Sequence, residues 1–183
     1  MPGRRRNPDI DAAIMAAGAR ALRAVGFRAF SIEGLAEDLR IPRSTIYTRW
    51  PNKMHLLDVL LAEALIMPAP REPNLRAALR QLLSEDVVLS SQPEGRAAAQ
   101  LLLAAQDPAG PDAERVRARI AARREQYRAL FATASVDETL LESVIDLIVS
   151  AVWGASVLHP AVPPPDPGQL TRVVLAILGL DTG

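Results

Sequence analysis

Apolar residues in this 183-residue chain return every three or four positions over most of its length, and Pro or Gly stands at most of the breaks in that rhythm. Such a period puts the apolar residues on one stripe of a helix, whereas a half-buried strand needs strict alternation. Ile10, Ile14, Ala17, Ala21 and Val25 form the first stripe. They predict a helix over about 9–25, opened by Asn7-Pro8-Asp9 and stopped by Gly26. Ser31 can cap a second, short helix with Ile32, Leu35, Ala36 and Leu39 on one face. Pro42 suits the first turn of a third helix, which must end by Trp50 because Pro51 disfavours helix at the residue before it.

Asn52 can cap a fourth helix, whose broad stripe is Leu56, Leu57, Leu60, Leu61, Ala64 and Leu65, closed by Pro68-Ala69-Pro70. Helical patterns follow over 74–90, 93–106, 112–133 and 137–158. A Pro-rich connector over 159–165 cannot sustain a helix. Asp166 can then cap a last helix that runs to about Leu178, with Pro167 in its first turn. Aromatic residues are only 4% of the chain, so the core must be built from Leu, Val, Ile and Ala. The expected fold is all-α, with a three-helix N-terminal domain over 1–55 and a helical body over 56–183.

The formal net charge of zero hides an asymmetry. Residues 1–55 carry ten Lys and Arg against five acids, a net +5, and the remainder carries the compensating −5. A basic head on an acidic body points to a polyanionic partner for the head alone. Arg4-Arg5-Arg6 reads first as a solvated tail and second as an arm for a minor groove.

Other classes fit poorly. There is no cysteine, hence no disulfide framework and no thiolate zinc site, which suits a reducing cytosol. The basic start is followed by no apolar run of the secretory kind. The most apolar stretch, 139–158, is interrupted by Glu142 and Asp146, so a membrane span is not expected. His55 and His159 lie on segments with unrelated roles, and no Gly-rich phosphate loop or nucleophile motif is present. Glu142 and Asp146, one turn apart, read as a solvated helix face rather than an acid–base pair. Neither an enzyme nor a cofactor is expected, and the cytoplasm is the expected location.

Three short helices with a tight turn, Leu39-Arg40-Ile41, between the second and third have the form of a helix-turn-helix. The third, over 42–49, is the recognition helix. Ile46 and Trp50, four apart, can anchor it to the first two helices, leaving Arg43, Ser44, Tyr47 and Thr48 outward. Arg43 stands where such a helix meets base edges, and its fork suits guanine O6 and N7. Ser44 and Thr48 can reach bases or phosphates. Lys53, the chain's single lysine, opens the fourth helix, where charge and free N–H groups both attract a phosphate.

The run from Phe30 to Leu57 resembles the DNA-binding domain of the tetracycline-repressor (TetR) family. Ser44-Thr45-Ile46-Tyr47, Trp50 where the family usually has Phe, Asn52-Lys53 and Leu56-Leu57 carry the likeness most specifically, with Gly26-Phe27 ahead of it. Arg40 replaces a usual Gly in the turn, and His55 replaces a usual Glu, which removes a capping-box partner for Asn52. The resemblance implies that Thr45 and Tyr47 bond the DNA backbone. It further implies a ligand-responsive regulator, a repressor released from a palindromic operator in duplex DNA by a small-molecule effector, and acting as a homodimer.

The body offers less. Apolar residues in 137–158 spread wider than one buried face requires, and Leu170, Val173, Val174, Ile177 and Leu178 share a side of the last helix. Two adjacent apolar helices suggest a four-helix dimer interface, with Ala151, Gly154, Ala155 and Ser156 permitting close approach. Leu102, Leu103, Gln106, Tyr127, Phe131 and Trp153 are the candidate lining of a ligand cavity, although each residue type is more often plain core. The rival reading is a helical ligand-binding or scaffolding protein that has lost its hold on DNA.

Overall fold

Helix ends in this chain are fixed by side chains that accept hydrogen bonds from the first unpaired backbone N–H groups. In the computed structural model, which describes residues 8–64, 69–72, 74–104, 111–158 and 161–180, every described residue outside a turn or connector is helical. Helix α1 runs Pro8–Ala29 and bends at Gly26, whose φ of 73° is left-handed. The helix therefore resumes for one turn beyond the stop the sequence suggests. Ser31 caps α2 (Ile32–Leu39) by accepting from the Gly34 amide at 3.0 Å. Asn52 caps α4 (Lys53–Ala64) by accepting from the His55 amide at 2.7 Å, so the cap forms without the usual Glu. Asn74, Asp137 and Asp166 do the same for α5 (Leu75–Ser91), α8 (Glu138–Val149) and α10 (Pro167–Ile177).

Two C-terminal helix ends close alike. After α10 the Leu180 amide reaches back to the Leu175 carbonyl at 2.8 Å, around Gly179 at φ 69°. After α2 the Ile41 amide reaches the Ala36 carbonyl at 3.0 Å, around Arg40 at φ 54°. This is the left-handed closure that normally takes Gly. Arg40 adopts it despite its Cβ, so the helix-turn-helix turn keeps its shape and bears the strain. Helix α3 is short, Arg43–Tyr47, with Pro42 just outside it as the N-cap.

The body adds α6 (Pro93–Ala104), α7 (Pro111–Leu130) and, after α8, a π-helical turn over Ser150–Gly154 leading into α9 (Ala155–Leu158). The pattern over 137–158 is thus one apolar helical run with a π-helical insertion near its end. By length and composition Glu138–Leu158 could cross a membrane, with a mean hydropathy of 1.7. However, two of its three acids are engaged on the protein: Glu142 pairs with Arg124 and Arg128, each at 2.6 Å, and Asp146 with Arg124.

Two apolar cores result. One gathers Ile14, Leu22, Ile32, Leu35, Ile46, Trp50, Leu56, Leu57 and Leu61. The other gathers Leu79, Leu82, Tyr127, Phe131, Ile145, Ile148 and Val174. The boundary between cores does not fall at residue 55. Helix α4 contributes Leu56, Leu57 and Leu61 to the first core, and α6 adds Ala97, Ala98 and Leu101 to it. Helix α6 is therefore the piece of the body that the head is built upon.

A buried polar ladder ties α7 to α5 and α4. Arg123 holds the fully buried Asp86 of α5 through Nε at 3.1 and 3.2 Å and Nη2 at 3.0 Å. Tyr127 donates its hydroxyl to the same carboxylate. One turn earlier, Arg119 pairs with the buried Asp58 of α4 at 3.1 Å and donates to its carbonyl at 3.0 Å. Burial pushes the Asp86 carboxyl upward while the Arg123 guanidinium opposes that shift, and burial likewise raises the Tyr127 phenol.

Candidate nucleic-acid interface

Ile46 is fully buried and Trp50 nearly so, and both belong to the first core. That fixes which face of α3 points outward. Arg43, Ser44, Tyr47 and Thr48 are exposed together on that face, and Thr45 is half-buried beside them. Arg40 in the turn is also exposed, and neither Arg40 nor Arg43 makes an ion pair among the described residues. The structure thus brings together five of the six residues read as DNA-binding from the sequence, and adds a second arginine.

Local bonds determine what these groups can offer. Thr48 donates its hydroxyl to the Ser44 carbonyl at 2.7 Å. Tyr47 donates to Glu33 Oε1 at 2.9 Å, a link between α3 and the first turn of α2. Backbone donors at the start of α2, then the Tyr47 hydroxyl, lower the Glu33 carboxyl; the same link raises the Tyr47 phenol. A phosphate must therefore compete with Glu33 for the proton of Tyr47. Glu33 gives no signal in the sequence, because fourteen positions separate it from Tyr47.

Arg49 fastens the end of α3 from the other side, donating to Asp11 of α1 and, through Nη1, to the Thr45 carbonyl at 2.8 Å. Lys53 departs from its sequence reading. Its ammonium donates to the Phe27 carbonyl at 2.6 Å and the Arg28 carbonyl at 3.4 Å, and lies 5.0 Å from the centre of the Phe27 ring. Burial lowers its pKa. In this structure Lys53 closes the end of α1 behind the Gly26 bend and is not presented to a phosphate.

Of the six residues read as a ligand cavity, the three whose side chains are described fall in different cores. Tyr127 and Phe131 are packed in the second core, whereas Trp153 packs against the first. Leu102 and Leu103 lie on α6, and Gln106 lies outside the described residues. Arg4-Arg5-Arg6 also lies outside them. Among the described residues no group of His, Asp and Glu could hold a metal ion.

An α-helical body carrying an N-terminal helix-turn-helix with an outward polar recognition face defines the class of helix-turn-helix regulators. Residues 14–60 match the family of bacterial regulatory proteins, tetR family. That segment is therefore similar to the family's DNA-binding domain, and the chain over its length has the fold of TetR-family regulators. Similar solved structures include a TetR transcriptional regulator from Agrobacterium tumefaciens, with 18% identity, 95% of this chain and 94% of that one covered, and a TM-score of 0.70. A tetR-family regulator from Streptomyces coelicolor has 16% identity, coverage of 96% and 82%, and a TM-score of 0.67. The multidrug binding protein EbrR, complexed with imidazole, has 16% identity, coverage of 97% and 94%, and a TM-score of 0.66. No curated protein matches the chain in sequence.

Proposed function

We propose that the protein is a cytoplasmic, ligand-responsive transcriptional repressor that binds a palindromic DNA operator as a homodimer and releases it when a small molecule binds the body. The observation that carries this reading is the outward face of α3, where Arg43, Ser44, Tyr47 and Thr48 stand exposed on a helix held by two buried anchors. Arg43 is the base reader, Tyr47 and Thr45 position the backbone, and the exposed Arg40 adds charge. EbrR shows that a protein of this fold can hold a small molecule.

The apolar faces of the body support the dimer. Leu140, Leu147 and Leu158 are 39, 50 and 70% exposed along one stripe of α8 and α9, and Val173 and Ile177 are 46 and 42% exposed on α10. Gly154 lies within that stripe, and a Cβ placed on it meets nothing within 4 Å. A second copy covering these helices by a two-fold axis buries the same patch twice. It also sets two recognition helices about one DNA turn apart, roughly 34–36 Å.

Fluorescence anisotropy on a promoter fragment tests the head. Binding is expected to weaken steeply with salt, as counterions compete for the phosphates. Arg43→Ala is expected to relax preference at one base pair by about 1–3 kcal/mol. Tyr47→Phe is expected to weaken all sequences alike. A flat salt response, or an unchanged preference in Arg43→Ala, contradicts the reading.

A further inference from the structure

The joint between α5 and α6 is packed backbone against backbone. A Cβ on Gly95 would lie 1.8 Å from the Leu89 carbonyl oxygen, so only glycine lets the first turn of α6 seat on the end of α5. Beside this joint a cleft of about 160 Å³ opens between Ser90 and Ser91 of α5, the π-helical turn and α9, and the Pro-rich connector. Its walls are Val152, Ala155, Val162 and two prolines, and its cation is Arg96. One nitrogen of the Arg96 guanidinium donates to the Ser91 carbonyl. The neighbouring Glu94 feels the Arg96 charge but gives its hydrogen bond to Arg23, and among the described residues no salt bridge within 4 Å is formed by Arg96.

The geometry points to a binding site for a small carboxylate with an apolar body, its charge on Arg96 and its hydrocarbon against Val152, Ala155 and Val162. Size, charge and wall chemistry each narrow the class. An enclosed cavity of about 150 Å³ holds a single benzene ring, so a one-ring body matches the volume of this open cleft. A guanidinium with open N–H groups accepts a planar carboxylate in a bidentate manner. The wall includes Val152 of the π-helical turn, an irregularity that recurs at functional sites.

The cleft also touches the element that joins body to head. Arg96 lies on α6 two residues from Glu94, which accepts from Arg23 of α1, and the same helix sends Ala97, Ala98 and Leu101 into the head core. Occupancy that redirects Arg96 therefore bears on the seat of the DNA-binding domain. This effector role rests on the regulator reading above; the carboxylate site itself does not.

Benzoate, with benzamide as its uncharged counterpart, titrated into the full chain by amide NMR, tests the site. Benzoate is expected to shift the amides of Ala155, Ser156 and Val162 saturably, and at least tenfold more tightly than benzamide. Arg96→Gln is expected to abolish the preference for benzoate. Ala155→Phe, which fills the cleft without touching the charge, is expected to abolish binding of both, so the site is tested even if Arg96→Gln fails to fold. No saturable shift at these amides, equal binding of the two probes, or benzoate binding unchanged in the variants overturns the site. Promoter anisotropy on the same samples separates the two readings. Benzoate binding by a chain that binds no DNA overturns the regulator reading and leaves the site. Promoter affinity unmoved by saturating benzoate overturns the effector role.

Discussion

The two cores of this molecule are built from the same aliphatic residues but finish their surfaces in opposite ways. The head core is sealed by Ile46 and Trp50 and turns polar side chains outward on α3. The body core is sealed on one side by the Asp86, Arg123 and Tyr127 cluster, yet leaves Leu147, Leu158 and Val173 in contact with solvent. Solvent tolerates scattered apolar residues, but several large ones exposed on α8, α9 and α10 are what the proposed dimer would cover. One region is finished as a monomer and presents chemistry to a polyanion. The other leaves apolar side chains in solvent, which a second copy covers in the proposed homodimer.

This contrast predicts how the chain unfolds, because α6 sits in the head core while belonging to the body. Asp86→Ala has the largest expected effect. It removes the carboxylate that balances the buried Arg123 charge and accepts from Tyr127, at a cost of about 3–5 kcal/mol. If α6 interlocks the cores, calorimetry shows a single transition moved to lower temperature. Two transitions, with the head unaffected, would break the picture of shared cores. Gly95→Ala comes next, because its methyl group must displace the Leu89 carbonyl at the joint. Its expected cost is about 1–3 kcal/mol, read by urea unfolding, and α1 should lose amide protection along with α6. Protection lost in the body alone would show that the head does not depend on this joint.

Two helix endings of the same geometry differ in the residue that makes them. Gly179 takes the left-handed position after α10 without strain, and Arg40 takes it after α2 with strain. Arg40→Gly is expected to stabilise the chain by about 1 kcal/mol and to weaken DNA binding through the lost charge. A destabilised variant would show that the Arg40 side chain makes contacts that outweigh its backbone.

Much of the fold was legible because its signals are local. Each cap named in the sequence, Ser31, Asn52 and Asp166, acts within three residues, and proline and glycine positions delimited the helices. The head was legible for the further reason that α3 has only one way to bury Ile46 and Trp50. What escaped depends on long-range packing. Lys53 reads as a phosphate ligand until α1 folds back and places the Phe27 and Arg28 carbonyls at its ammonium. Glu33 becomes part of the recognition surface only when α2 and α3 meet. Tyr127 and Phe131 carry the same aromatic character whether they line a cavity or fill a core, and here they fill one. Arg96 gave no signal, because its cleft is assembled from parts of the chain more than fifty residues apart.

On the proposed reading, the head reads DNA effectively only when two bodies pair through α8 and α10. Gly154→Arg tests it most directly, since the position is open within one chain and a large charged side chain there blocks only a partner. Light scattering on wild type and variant, with and without a palindromic promoter fragment, is the measurement. The wild type is expected to be a dimer that places two chains on one fragment. The variant is expected to be a folded monomer, with an unchanged helical spectrum and at least a tenfold loss of promoter affinity. A wild type that is monomeric on DNA, or a Gly154→Arg chain that still dimerises and binds at full strength, would contradict the claim.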